Sequence, residues 1–164
     1  YLDMATHKTA FYSGATPLAT GAIIGGGSDE QIEALRAFGL HTGLAFQIQD
    51  DLLNLVGTKE AANKDFRTDI TEGKRTLVVV HALEHAQGNA HDELIDILSS
   101  KETDPESLER AVQIMREAGS IDFARSYAIK LAHDHQHDVE AVLPATPMRK
   151  LLVSMGDFFV SRLS

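Results

Sequence analysis

Phe46-Gln47-Ile48-Gln49-Asp50-Asp51-Leu52-Leu53-Asn54 sets two adjacent carboxylates midway along an apolar helical run. Leu44, Ala45, Phe46 and Ile48 lead into the pair, and Leu52, Leu53, Leu55 and Val56 follow it. An Asp-Asp pair on a helix is ordinarily a solvated face. A helix this apolar, however, is mostly buried, and buried acids carry partners. An unneutralised carboxylate in an apolar interior is too costly to stand alone. Cations follow closely: Lys64-Asp65, then Thr68-Asp69-Ile70-Thr71-Glu72-Gly73-Lys74-Arg75-Thr76. Carboxylates and lysines in this order predict a site for a divalent metal and a polyanion, most simply Mg²⁺ and a diphosphate.

Outward from this stretch the pattern is helical nearly throughout. Residues from Tyr1 to about Ile24 are rich in Ala, Thr and other small side chains, which suits close helix packing. Gly25-Gly26-Gly27 breaks that segment, and Ser28-Asp29-Glu30-Gln31 reads as a capping box opening a long helix from Asp29 to about Val56. Gly57 ends it. Residues 58 to 70 read as a polar loop. A helix beginning near Thr71 carries the run Leu77-Val78-Val79-Val80, and a shorter one covers about Ala90 to Leu98. Asp104-Pro105-Glu106 is a strong helix start, with proline at the first helical position. That helix stops at Gly119; Ser120 caps the next, which runs to Leu143. A last helix spans Met148 to Leu163. With no internal repeat and no low-complexity linker, residues 1–164 read as one all-α domain.

A chain of 164 residues is long enough for a real core. At 43% hydrophobic residues with scattered charge it is globular. A net charge of −9 argues against nucleic acid as partner, because phosphate backbones need a basic face. It argues equally against electrostatic attachment to anionic membrane. A diphosphate site survives this test, since metal ions and a few lysines invert the field locally. The absence of Cys excludes a disulfide scaffold or Cys-ligated metal and fits a reducing, cytoplasmic location. No apolar run reaches transmembrane length.

The motifs, taken together, resemble the C-terminal half of a trans-isoprenyl diphosphate synthase, of the geranyl-, farnesyl- and geranylgeranyl-diphosphate synthase family. That family's second aspartate-rich motif, Phe-Gln-x-x-Asp-Asp-x-x-Asp, is matched from Phe46 to Asp51 and departs at Asn54. Asn there still offers a neutral oxygen and resembles geranylgeranyl-type members. The downstream Gly-Lys…Ser/Thr-Asp-Ile-x-x-Gly-Lys-x-Thr pattern is met by Lys64, Thr68, Asp69, Gly73, Lys74 and Thr76, with Asn63 in place of the first Gly. His7-Lys8-Thr9-Ala10 resembles the family's Lys-Thr element. Similarity continues through Gly119-Ser120-Ile121-Asp122 and from Leu143-Pro144 to Arg149. The family's first aspartate-rich motif has no counterpart, for no second Asp-Asp occurs in the sequence. The resemblance therefore implies an all-α, isoprenoid synthase-like helical bundle present only as its C-terminal portion, inactive alone.

Its implied reaction is Mg²⁺-dependent condensation of isopentenyl diphosphate with an allylic diphosphate, in an enzyme that is a homodimer when complete. On helix geometry Gln47, Asp50 and Asn54 share a stripe, with Asp51 offset by about 100°. A metal held by Asp50 could keep waters that Asp51, Asn54 and Asp69 hold in turn, which suits Mg²⁺. Lys8, Lys64 and Lys74 would contact the diphosphate as point charges, and Thr71 to Gly73 would offer helix N-terminal amides to it. Thr9, Gln47 and the Lys8 carbonyl resemble the family groups that face the carbocation, with Phe46 walling the pocket. A non-catalytic regulatory subunit of the same fold is the competing reading, and a terpene cyclase a weaker one. His133 and His137, one turn apart, invite a metal but read better as a polar face. His81 reads as a packed histidine, and Glu84 lies wrongly for a zinc-protease motif.

Overall fold

The computed structural model describes residues 1–57, 67–101 and 103–161. Every regular element among them is helical. In chain order these are α1 (Leu2–Ala5), a π-helical segment (Thr6–Ala15), α2 (Thr16–Ile24), α3 (Asp29–Val56), α4 (Thr68–Thr71), α5 (Leu77–His85), α6 (Asn89–Ser100), α7 (Pro105–Glu117), α8 (Ser120–His133), α9 (Gln136–Val142) and α10 (Pro147–Val160).

They gather into two compact units. One comprises Tyr1 with Asp50–Ser126, the other Leu2–Gln49 with Tyr127–Ser164. The first holds the diaspartate pair, the second the Lys8-Thr9 element, and we call them the diaspartate unit and the threonine unit. α3 contributes residues to both.

In the threonine unit the π-helical segment and α3 touch backbone to backbone. Side chains added at Gly14 or Gly39 would overlap the other residue's carbonyl, and a Cβ on Gly43 would lie 2.9 Å from Ala10 Cα. Only glycine permits this approach, which sets an antiparallel register of Ala10 against Gly43 and Gly14 against Gly39. The π pattern gives way to α beside Pro17, a residue with no N–H to place in either ladder. The predicted capping box forms reciprocally: Ser28 N donates to Gln31 Oε1 at 3.0 Å, and Gln31 N to Ser28 Oγ at 3.3 Å. Leu35, Phe38 and Val139 form a core cluster, with Leu18, Leu143 and Leu152 packed on it.

In the diaspartate unit the core comes from Leu52, Leu55, Ile70, Val78, Val79, Leu94, Val112 and Met115, all at most 2% exposed. The Val78–Val80 run is helical, as expected where no partner strand is offered. Asp104 caps α7 through Ser107 N at 2.9 Å, as its sequence predicts.

Three boundaries differ from expectation. The helix expected near Thr71 is the four-residue α4, followed by a reversal at Gly73 (φ +67°) and a new start at Leu77 capped by Thr76. Gly73 takes a left-handed conformation that a side chain would strain. Ser120 does not cap a helix; it is the first residue of α8, fully buried, with its hydroxyl 2.9 Å from His81 Nδ1. The helix expected to reach Leu143 breaks at His135 (φ +66°). That break separates His133 and His137 onto two helices, and His133 Nε2 instead meets Asp157 Oδ1 at 2.8 Å.

Candidate active site

The predicted site residues form two groups, one built within each unit. In the diaspartate unit, the last two turns of α3 carry Asp50, Asp51 and Asn54. Asp50 is exposed, whereas Asp51 is 9% exposed. The offset of about 100° between neighbouring helix positions makes this split. Burial of Asp51 is offset by Tyr1, whose Oη donates to Asp51 Oδ2 at 2.6 Å. Burial and the Asp51 carboxylate together push the Tyr1 phenol well above its ordinary range, so it stays a donor.

Asn54 reaches the opposite wall. Its Oδ1 accepts from Asp69 N at 3.2 Å, its Nδ2 donates to Thr68 Oγ1 at 3.0 Å, and its backbone carbonyl accepts from Arg67 N at 2.8 Å. Asp69 is 4% exposed. Lys74 Nζ donates to Asp69 Oδ1 at 2.6 Å and lies 3.1 Å from Glu72 Oε2. The hydrogen bond to Asp69 is the main cause holding the Lys74 ammonium above its usual range, so it is always charged. The Gly73 and Lys74 amides are used within the turn, donating to Ile70 O at 2.9 Å and Asp69 O at 2.9 Å. The expected helix N-terminal anion cradle at Thr71 to Gly73 does not form: α4 ends there, and the Glu72 amide donates to Thr68 O at 2.8 Å as the Gly73 amide does to Ile70 O.

Among the described residues no three His, Cys, Asp or Glu side chains converge to cage an ion. The adjacent Asp50 and Asp51 carboxylates nonetheless fit a hard cation of a particular kind. Mg²⁺ takes one or two carboxylates, keeps several waters and completes its shell with phosphate oxygens. The donor set is all oxygen, and one of its two carboxylates is open to solvent.

In the threonine unit, Thr9 Oγ1 donates to Gln47 Oε1 at 2.8 Å, a contact that the Gly39/Gly43 register makes reachable. Lys8 beside it is exposed. Phe46 packs edge-to-face on Phe159, centroids 5.2 Å apart. Both rings line a mainly apolar cavity of about 470 Å³, with Thr9, Phe38 and Met155 also on its wall. Phe46 thus walls a real cavity rather than filling solid core. Lys64 lies outside the described residues.

Two residues of the site escaped the sequence reading. Tyr1 is 50 positions from Asp51, and its only signal is the need of a buried Asp51 for a donor. Thr68 belongs to the downstream motif, and it is the acceptor for Asn54. His81 is packed as expected, stacked between His85 (3.8 Å) and Phe123 (4.1 Å), and burial lowers its pKa.

Comparison with known proteins gives a consistent picture. Residues 1–115 match the family model described as polyprenyl synthetase. A geranylfarnesyl diphosphate synthase of Natronomonas pharaonis is 40% identical over 165 residues, covering 99% of this chain and 45% of the relative. A geranylgeranyl pyrophosphate synthase structure from Corynebacterium glutamicum, complexed with isoprenyl diphosphate and magnesium, superposes with a TM-score of 0.89 at 30% identity. It is matched over 99% of this chain and 47% of that one. A polyprenyl synthase from Caulobacter crescentus CB15, complexed with calcium and isoprenyl diphosphate, gives 0.89 at 31% identity, over 100% and 49% of the two chains. The chain spans about half the length of the curated relatives it matches.

Proposed function

Since the chain belongs to the polyprenyl synthetase family, we propose that it supplies the second-motif half of a prenyltransferase that joins isopentenyl diphosphate to an allylic diphosphate. The observation that carries this reading is the diaspartate pair on α3, one carboxylate open and the other held by Tyr1, with Asp69 and Lys74 gathered beside it in the same unit. Asp50 and Asp51 would hold Mg²⁺, which when bound neutralises the diphosphate and favours departure of that group.

The chain's own residues act around that ion. Asp50 presents an exposed carboxylate. Asp51 is fixed by the Tyr1 hydroxyl on Oδ2. Lys74 supplies a permanent positive charge where the leaving diphosphate takes the electron pair of the breaking C–O bond. The family resemblance assigns Lys8 and Lys64 to diphosphate binding as well, each as a point charge. Thr9 and Gln47 present oxygen to the allylic carbocation, and Phe46 keeps water from the carbon centre. The double bond of isopentenyl diphosphate then forms the new C–C bond, and a proton leaves the adjacent carbon. The complete enzyme is a cytoplasmic homodimer in this reading. Exposed Ile23 and Ile24 offer apolar surface for the pairing. Among the described residues no helix is long and apolar enough to cross a membrane.

Titration of the purified chain with inorganic diphosphate tests the binding half of this reading. Binding that requires Mg²⁺ and disappears in Asp50→Asn supports it. Binding indifferent to both removes the diaspartate pair from the site. Incubated alone with isopentenyl and allylic diphosphates, the 164-residue chain should form no condensation product.

A further inference from the structure

We infer that Asn54 is a positioning residue, which staples the Arg67–Asp69 backbone to the end of α3 and thereby aims the Asp69–Lys74 pair. The inference rests on the function proposed above, because it assigns the third position of the aspartate-rich motif a task other than holding metal.

Three contacts carry it. Asn54 accepts Arg67 N with its backbone carbonyl and Asp69 N with its side-chain oxygen, and it donates to Thr68 Oγ1. Three consecutive residues are thus pinned by one. The segment they belong to needs such a pin. Arg67 stands at φ +58°, a left-handed conformation costly for a residue with a Cβ. α4 has only four residues, too few to persist on its own hydrogen bonds. Asp69 must nevertheless be held accurately, because its carboxylate is buried and is the acceptor for Lys74 at 2.6 Å.

A carboxamide suits this task better than a carboxylate. Its NH₂ end donates to a hydroxyl while its oxygen accepts an amide, with no added negative charge beside Asp50, Asp51 and Asp69. Aspartate could still accept the Asp69 amide, with the Thr68 hydroxyl rotating to donate. The staple would survive that substitution and only the charge would change.

Amide hydrogen exchange of the 164-residue chain, paired with titration by inorganic diphosphate in Mg²⁺, separates a staple from a ligand. In Asn54→Ala the Asp69–Lys74 amides should exchange at least about tenfold faster, and diphosphate affinity should fall about 10–100-fold, the usual effect of losing an outer support. Asn54→Asp should restore the protection of the Asp69 amide. Thr68→Val, which removes one contact and is milder should Asn54→Ala fail to fold, should give a smaller rise in exchange. Unchanged protection of Asp69 in Asn54→Ala, with diphosphate affinity lost, would make Asn54 a ligand and overturn the inference. If the wild type takes no diphosphate, the proposed function fails, and the exchange comparison still decides the staple.

Discussion

Lys74 Nζ sits 2.6 Å from Asp69 Oδ1, so the Lys74 ammonium is tied to a buried carboxylate across the Gly73 reversal. The pair is asymmetric: Asp69 is buried while the Lys74 side chain is 49% exposed. One face of the ammonium can therefore reach a ligand while Asp69 holds it in place.

Loss of this charge should damage chemistry more than binding. Negative charge on the leaving diphosphate grows as the C–O bond breaks, so Lys74 acts most in the transition state. In a complete enzyme containing this half, Lys74→Ala should lower kcat as well as kcat/KM, and Lys74→Arg should recover part of both. A rise in KM alone would make Lys74 an anchor for substrate. Stability should fall modestly, by about 1 kcal/mol, because solvent screening of the half-exposed ammonium discounts what a fully buried pair would lose.

Tyr1 should matter chiefly through Asp51. Tyr1→Phe keeps the ring and removes one 2.6 Å hydrogen bond to a buried carboxylate. The expected cost is about 1.5–3 kcal/mol for a bond to a charged group, read as a lower melting temperature, and Asp51→Asn should cost less in the Tyr1→Phe background than in the wild type. Additive losses in the double variant would separate the two residues.

The glycine contact in the threonine unit should tolerate nothing larger. Gly39→Ala pushes a methyl into the Gly14 carbonyl and should destabilise by about 1–3 kcal/mol. The Thr9–Gln47 hydrogen bond depends on this register, so diffraction or amide chemical shifts of Gln47 should report its loss. Wild-type stability in Gly39→Ala would show that the helices can part freely.

His41 gives the fold a pH dependence near neutrality. Its ring stacks on His135, centroids 4.5 Å apart, and its Nδ1 is buried with no hydrogen-bond partner among the described residues. Burial, then the His135 charge, lowers its pKa. The unfolded chain therefore binds the proton more readily, and the neutral His41 contribution is present above the unfolded value of about 6.5 and lost as pH falls through the lower folded value. The melting temperature should drop between pH 7.5 and 5.5, and His41→Phe should make that drop smaller. An equal drop in the variant would place the proton uptake elsewhere.

Much of this was readable beforehand, for definite reasons. Periodicity around Asp50-Asp51 revealed a buried helix, and local cap chemistry located Ser28 and Asp104, because those signals act over three or four residues. What stayed hidden acts at longer range. The Tyr1–Asp51 and Asn54–Asp69 contacts are tertiary. The late start of α5 came from Thr76 acting as a cap and Gly73 turning left-handed, which outweighed the helical look of Thr71-Glu72. The break at His135 is a left-handed residue with no glycine to announce it.

Prenyl transfer itself is tested most directly in a hybrid. This chain would replace the matching stretch of the Natronomonas pharaonis geranylfarnesyl diphosphate synthase, with folding checked by circular dichroism. The account predicts that the hybrid incorporates radiolabelled isopentenyl diphosphate onto an allylic diphosphate in Mg²⁺, and that Asp50→Ala in the hybrid abolishes incorporation. A folded hybrid that binds diphosphate yet makes no product, or whose product forms equally well without Asp50, would contradict it.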